Sequence, residues 1–325
     1  MTAVDVAIGF DTSCYTTSVA AVDANGKVIA FQRMLLPVQS GQRGLRQSEA
    51  VFAHIRQLPA LAEKAGQELE GARIVAVAAS DAPREDEASY MPVFTVGLGH
   101  ARSLASFLKV PCYRFSHQQG HIAAGLLGQP PLGNRFVAMH LSGGTTELLL
   151  SDGGSLTRLG GSLDLHAGQL IDRVGVALGL PFPAGPALER LAVAYAGLPE
   201  ALIPASMAHG DLDCHLSGAE TRCQQWIREG TMESGQMAAE VFDLLARTVA
   251  RMLAAACRET QTDQALVVGG VASSTLLRTW VVKRMQKLGS LAQPRFGQPT
   301  YSADNAAGIA WLGVRKYESE SAQSR

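Results

Sequence analysis

The chain has 325 residues, 47% of them apolar, which is too long for one ordinary core and suits two domains of about 150 residues each. Its 28 basic and 29 acidic side chains leave a net charge of −1, so no whole-protein field draws in nucleic acid and any RNA contact has to be local or shared with a partner. Cys14, Cys112, Cys214, Cys223 and Cys257 are scattered, odd in number and lack CxxC spacing, which suggests neither a disulfide framework nor a cysteine zinc site and fits a reducing cytoplasm. The N-terminus "MTAVDVAIGFDTS" has no basic leader and no apolar run reaches about 18 residues, so the expectation is a cytoplasmic protein with no membrane contact.

In chain order, "VDVAIGFDTSCYTTSVAAVDANGKVIAFQRM" predicts strand, polar turn, strand, an Asn25-Gly26 hairpin and a third strand. A helix around "SEAVFAHIRQLPALAEKAGQEL", a buried strand "IVAVAAS" and a helix near "GLGHARSLASFLKV" follow. After "PCYRFSH" comes "HQQGHIAAG", then the Pro- and Gly-rich "LLGQPPLGNR", which divides the chain into 1–128 and 129–325. Beyond it "RFVAMHLSGGTTELLLSDGGSLTRLG" restarts the strand, turn, strand, hairpin, strand pattern, so the two openings read as copies of one unit. Helices dominate from about 165 to 260. The strand "DQALVVGG" leads into the helix "VASSTLLRTWVVKRMQKLG", and "YSADNAAGIAWLGVRK" predicts a loop and terminal helix capped by Ser302 or Asp304.

His117 and His121 stand four apart, on one face of a helix, where they either share an ion or are simply solvated or core side chains. A metallopeptidase would carry HExxH, but Gln118 stands in the glutamate's place and cannot take a proton. Three turns are rich in Gly, Ser or Thr: "DTSCYTT" with Asp11, "LSGGTT" with Ser142, Gly143 and Gly144, and "VVGGVASS" with Gly269 and Gly270. Such turns bring backbone N–H groups to phosphate oxygens, although hairpins use the same residues for geometry alone.

Together these segments resemble the TsaD family of tRNA threonylcarbamoyladenosine synthases, long filed as M22 glycoproteases. "IGFDTSCYTTSVA" is similar to its ETSCDET opening, "HQQGHIAAG" to its HxxGH motif and "LSGGTTELL" to its SGGHTQL turn. "GGSLDLHAGQLIDRVGVALGLPFPAGPALERLA" resembles its long GExxDDAAGEAFDK…LGLxYPGGP segment. "HLSGAET", "VVGGVASSTLLR" and "YSADNAAGIAWLG" follow its FSGLKT, AGGVxANxxLR and TDNGAMIAxAG patterns in the same order.

The resemblance implies an α/β fold of the actin, hexokinase and Hsp70 type: a duplicated ribonuclease-H-like unit in two lobes with a cleft between them. It implies one divalent metal, iron or zinc, on His117, His121 and Asp304, and an ATP- or AMP-type adenine nucleotide. Nucleotide contacts fall to His140, Leu141, Ser142, Gly143, Gly144, Asp172, Gly185, Gly269, Gly270 and Ser274, and a catalytic role to Asp11. The implied chemistry moves threonylcarbamoyl from its AMP anhydride to adenosine 37 of tRNA, with helper proteins of that pathway and a dimer, with itself or with a second protein. Departures from the pattern lie in the motifs. Asp11 replaces the opening glutamate, Tyr15-Thr16 an Asp-Glu pair, Glu220 a lysine, Ser274 an asparagine and Gln169 a glutamate; "APREDEASYMPVF" replaces a PGPGL turn, and His54 alone survives of an SRxH helix motif. These changes raise a second reading, a paralogue that binds nucleotide and metal as a regulatory or scaffold protein; a metallopeptidase is the least favoured.

Overall fold

The computed structural model describes residues 3–13, 15–37, 45–85, 90–302 and 306–323. They fall into two compact units, Met1–Pro130 with Thr300–Arg325, and Pro131–Pro299. The first break falls between Pro130 and Pro131, inside the Pro- and Gly-rich loop. The closing helix, expected with the second half, belongs to the first, because its small-residue face packs on the first sheet.

In the first unit, β1 (Val4–Thr12), β2 (Thr16–Asp23) and β3 (Val28–Leu35) form an antiparallel meander, and β4 (Ala72–Ala82) and β5 (Cys112–Ser116) extend it in parallel in the order β3-β2-β1-β4-β5. The strand period of two sorts β1 between two faces. Val6, Ile8 and Phe10 meet Leu58 and Leu61 of α1 (Gln47–Gln67) and Ala101 and Ala105 of α2 (Phe94–Leu108). Ala7 packs with Ile309 and Val314 of α9 (Ala307–Gln323) on the opposite face. Asp11 shares the parity of Ala7, and its carboxylate meets the first residue of α3 (His117–Leu126).

Helix α3 begins at His117 because Ser116 and Gln119 form a capping box. Ser116 Oγ accepts from Gln119 N at 3.1 Å and Gln119 Oε1 from Ser116 N at 2.8 Å. α3 and α9 touch backbone to backbone at Gly308, where a Cβ would stand 1.9 Å from Gly120 O and 2.7 Å from Ala124 N. Gly308→Ala is expected to lower unfolding free energy by about 1–3 kcal/mol, the range of overpacked cores. A denaturation midpoint equal to wild type would contradict this packing argument.

The second unit repeats the plan. β6 (Arg135–Leu141), β7 (Thr146–Asp152) and β8 (Ser155–Ser162) form the meander, and β11 (Gln264–Val268) and β12 (Gln293–Phe296) run parallel beyond β6. The sheet order is β12-β11-β6-β7-β8-β10-β9, the first unit's order with β9 (Ser206–Ala208) and β10 (Asp213–His215) added at the β8 edge. Its core gathers around α7 (Ser234–Thr260), with α4 (Ala167–Ala177), α5 (Gly185–Ala194), α6 (Ser217–Glu229) and α8 (Thr275–Lys287). The short strands β9, β10 and β12 were not expected, since three or four residues carry no readable alternation. No helix among the described residues is long and apolar enough to cross a membrane.

Candidate functional site

In the first unit the end of β1 and the start of α3 bring three expected residues together. Asp11 is fully buried, and its Oδ1 accepts from His117 Nδ1 at 2.9 Å and from Ser80 Oγ of the parallel neighbour β4. His117 Nε2 lies 3.0 Å from His121 Nε2, with the rings edge to face at 4.5 Å between centroids. Asp11 Oδ2 is buried and has no hydrogen-bond partner among the described residues. Asp304, the expected carboxylate ligand, lies outside the described residues, as does the cap it was expected to form. Among the described residues no three His, Cys, Asp or Glu side chains form a group suited to an ion.

The donors that are described fit a metal in part. Two imidazole nitrogens 3.0 Å apart are well within the ~4 Å that two metal–nitrogen bonds can span. An acceptor-only carboxylate oxygen buried without a donor favours a nearby cation.

A second web underlies the "DTSCYTT" turn and was legible only as a surviving histidine. His54 of α1 is fully buried; its Nε2–H donates to Ser13 O at 2.9 Å, and Thr17 Oγ1 lies 2.8 Å from its Nδ1 and 2.6 Å from Gln57 Oε1. Burial pushes the imidazole below its ordinary 6.5, against the Ser13 carbonyl and Asp11, which favour the charged ring. The web ties the turn to the first long helix.

In the second unit the "LSGG" and "VVGG" turns lie side by side, because β6 and β11 are parallel neighbours with His140 opposite Val268. Gly269 has φ +98°, and a Cβ there would stand 2.2 Å from Leu141 O and 2.9 Å from His140 Cδ2. Only glycine allows that approach. His140 and Leu141 are buried, so Leu141 offers the site its backbone rather than its side chain. Gly143 and Gly144 are exposed, and Ser142 ties the turn: its N–H donates to Thr145 O, while its carbonyl accepts from Gly168 N at the start of α4. Gln169 Oε1 accepts from His166 N and caps that helix, a role open to the glutamate it replaces.

Asp172 Oδ1 accepts from Ala184 N at 2.7 Å, which places the α4 carboxylate beside the Ala184-Gly185 start of α5; burial raises its pKa, opposed by that hydrogen bond. Ser274 is the N-cap of α8, with its hydroxyl accepting from Leu277 N at 3.1 Å, and Gly270 is exposed just before it. Glu220 is paired with Arg173 of α4 at 3.0 Å, so the charge reversal joins two helices at the surface.

Asp164 has no counterpart among the expected site residues. It accepts from Leu165 N, Leu216 N, Ser217 N and Ser217 Oγ, fastening the end of β8 to the start of α6. Burial pushes its carboxyl up, but the bonds from Ser217, Leu216 and Leu165 outweigh burial and hold it at about 2. A pKa below the ordinary 3.8 gives stability that is full above 3.8 and lost as pH falls through about 2. Asp164→Ala is expected to cost about 2–4 kcal/mol at pH 7, because several donors lose their acceptor, and to flatten the acid limb of the stability curve. Equal urea midpoints for wild type and variant at pH 7 would remove this role.

Two sheets that share one strand order, a three-stranded antiparallel meander extended by two parallel strands, define an α/β protein of the actin, hexokinase and Hsp70 type. The activator of 2-hydroxyisocaproyl-CoA dehydratase from Clostridium difficile with bound ADPNP matches with a TM-score of 0.55 over 98% of each chain, at 13% identity. A ROK family glucokinase from Streptomyces griseus, in complex with glucose and AMPPNP, matches with a TM-score of 0.53 over 95% of this chain and 99% of its own, at 14% identity. In sequence, residues 38–311 match the TsaD family model, tRNA N6-adenosine threonylcarbamoyltransferase. The tRNA N6-adenosine threonylcarbamoyltransferase of Thiobacillus denitrificans is 31% identical over 321 residues, covering 96% of this chain and 91% of its own. The chain belongs to the tRNA N6-adenosine threonylcarbamoyltransferase family.

Proposed function

We propose that this protein binds one divalent metal, iron or zinc, and an adenine nucleotide, and transfers threonylcarbamoyl from threonylcarbamoyl-AMP to adenosine 37 of tRNA, with turnover reduced by its own motif changes. The observation that carries the reading is the Asp11, His117 and His121 cluster at the end of β1, in a chain of this family. His117 and His121 would hold the metal with Asp304, and the ion would polarise the acyl or phosphoryl oxygen. The exposed Gly143 and Gly144 would offer their N–H groups to phosphate oxygens without side-chain obstruction. One oxygen of Asp172 is engaged by Ala184 N, so a ribose hydroxyl would fall to the other. The tRNA would be presented with helper proteins of the same pathway, in the cytoplasm. The half-exposed Tyr15 and the Arg173–Glu220 pair favour a second reading, a nucleotide-binding regulatory or scaffold paralogue.

One assay separates the two readings: purified protein, threonylcarbamoyl-AMP and unmodified tRNA, with the nucleosides read by mass spectrometry. Modified adenosine above a no-protein blank supports transfer; none, with nucleotide still bound, supports the paralogue. Calorimetry with ATP, ADP and AMP is expected to give dissociation constants below about 1 mM, a limit near −4 kcal/mol. Absence of heat for all three would remove the nucleotide role.

A further inference from the structure

We infer that Asp11 is a positioning residue that fixes the tautomer and angle of the His117 ring, with Ser80 fixing Asp11 in turn; this rests on the proposed metal role of His117. A carboxylate oxygen accepts, so the proton of the 2.9 Å Asp11–His117 bond sits on Nδ1 of the imidazole. In the neutral ring that leaves the lone pair on Nε2, the atom turned toward His121 Nε2 at 3.0 Å. The N–H of that second contact then belongs to His121 in the metal-free protein, and a change of the His121 tautomer, with its proton carried by Nδ1, would free the two Nε2 lone pairs together.

The cluster is built rather than incidental. The parallel pairing of Phe10 with Ala79 brings Ser80 beside Asp11, and the Ser80 hydroxyl donates to the same Oδ1 that receives His117. Both donors fall on one oxygen, and full burial keeps water from competing for it. The capping box at Ser116 and Gln119 fixes where α3 begins, so the residue is held at its backbone and at its ring Nδ1. Outer partners that orient a ligand histidine raise its basicity and cost 10–100-fold in metal affinity when removed.

The test uses wild type, Asp11→Ala, Asp11→Glu and Ser80→Ala, each checked for fold by circular dichroism. With ¹⁵N-labelled histidine and no metal, the His117 ring, assigned against His117→Gln, is expected in the Nδ1–H tautomer in wild type and no longer uniquely so in Asp11→Ala. Cobalt(II) titration is expected to show an affinity at least about 10-fold weaker in Asp11→Ala, with an altered visible spectrum, and partial recovery in Asp11→Glu. An Nε2–H tautomer for wild-type His117, or equal cobalt affinity and spectrum in Asp11→Ala, would overturn the inference. Failure of wild type to bind cobalt, with the Nδ1–H tautomer present and dependent on Asp11, would overturn the metal reading and leave the positioning role standing.

Discussion

Replacing His121 by alanine is expected to abolish stoichiometric metal binding while leaving the protein folded. The ring is buried against His117 on α3, and its Nε2 lies 3.0 Å from Nε2 of the ring that Asp11 holds at Nδ1. On the proposed metal role, removing a ligand costs more than the 10–100-fold lost with an outer partner, so the affinity loss is expected to exceed ~100-fold. Alanine is a strong helix former, and the capping box that starts the helix is untouched, so circular dichroism should not change. His54→Gln serves as the contrasting variant. It removes a fully buried histidine from the Ser13 and Thr17 web, and is expected to lower stability with metal content preserved. Elemental analysis of the three proteins, purified without chelator, decides the matter. Equal iron or zinc in wild type and His121→Ala would show that the imidazole pair holds no ion.

The same cluster shows what a sequence can and cannot disclose. Both meanders were legible, because Asn25-Gly26 and Gly153-Gly154 sit between alternating strands, and local turn chemistry is written in consecutive residues. The His117–His121 spacing was legible for the same reason, one helical turn being a local distance. The Ser80 hydroxyl on Asp11 spans 69 residues and exists only because β1 and β4 are parallel neighbours. No periodicity in either strand announces that partner. The closing helix went to the wrong half because its small-residue face suits any flat sheet; what selects the first is the backbone approach at Gly308, visible only once both helices are in place. Glu220 read as a lost cation, and Arg173, 47 residues earlier, supplies its partner on an adjacent helix.

Wild-type protein is expected to transfer threonylcarbamoyl at least ~100-fold more slowly than the Thiobacillus denitrificans relative under the same conditions, and Tyr15 is the reason. The family pattern places a carboxylate at this position; here a phenol stands in its place on the turn between β1 and β2. Tyr15 is 50% exposed, and its backbone carbonyl accepts from Leu36 N, so the turn is tied by the main chain while the ring stands outside the core. A carboxylate that orients substrate or moves a proton is worth typically 10²- to 10⁴-fold, and the hydroxyl of an exposed phenol replaces neither its charge nor its two acceptor oxygens. Thr16, where the pattern has a second acid, is buried within β2 opposite Leu35. A glutamate there would bury an unpaired charge, so Thr16→Glu is expected to destabilise by several kcal/mol and to obscure any gain in rate. Tyr15→Asp alone is the clean variant, because the new carboxylate would stand in solvent. It is expected to raise the transfer rate by about 10-fold or more at unchanged metal content and nucleotide affinity. A wild-type rate equal to that of the relative, or a Tyr15→Asp rate no higher than wild type, would show that this position does not limit turnover.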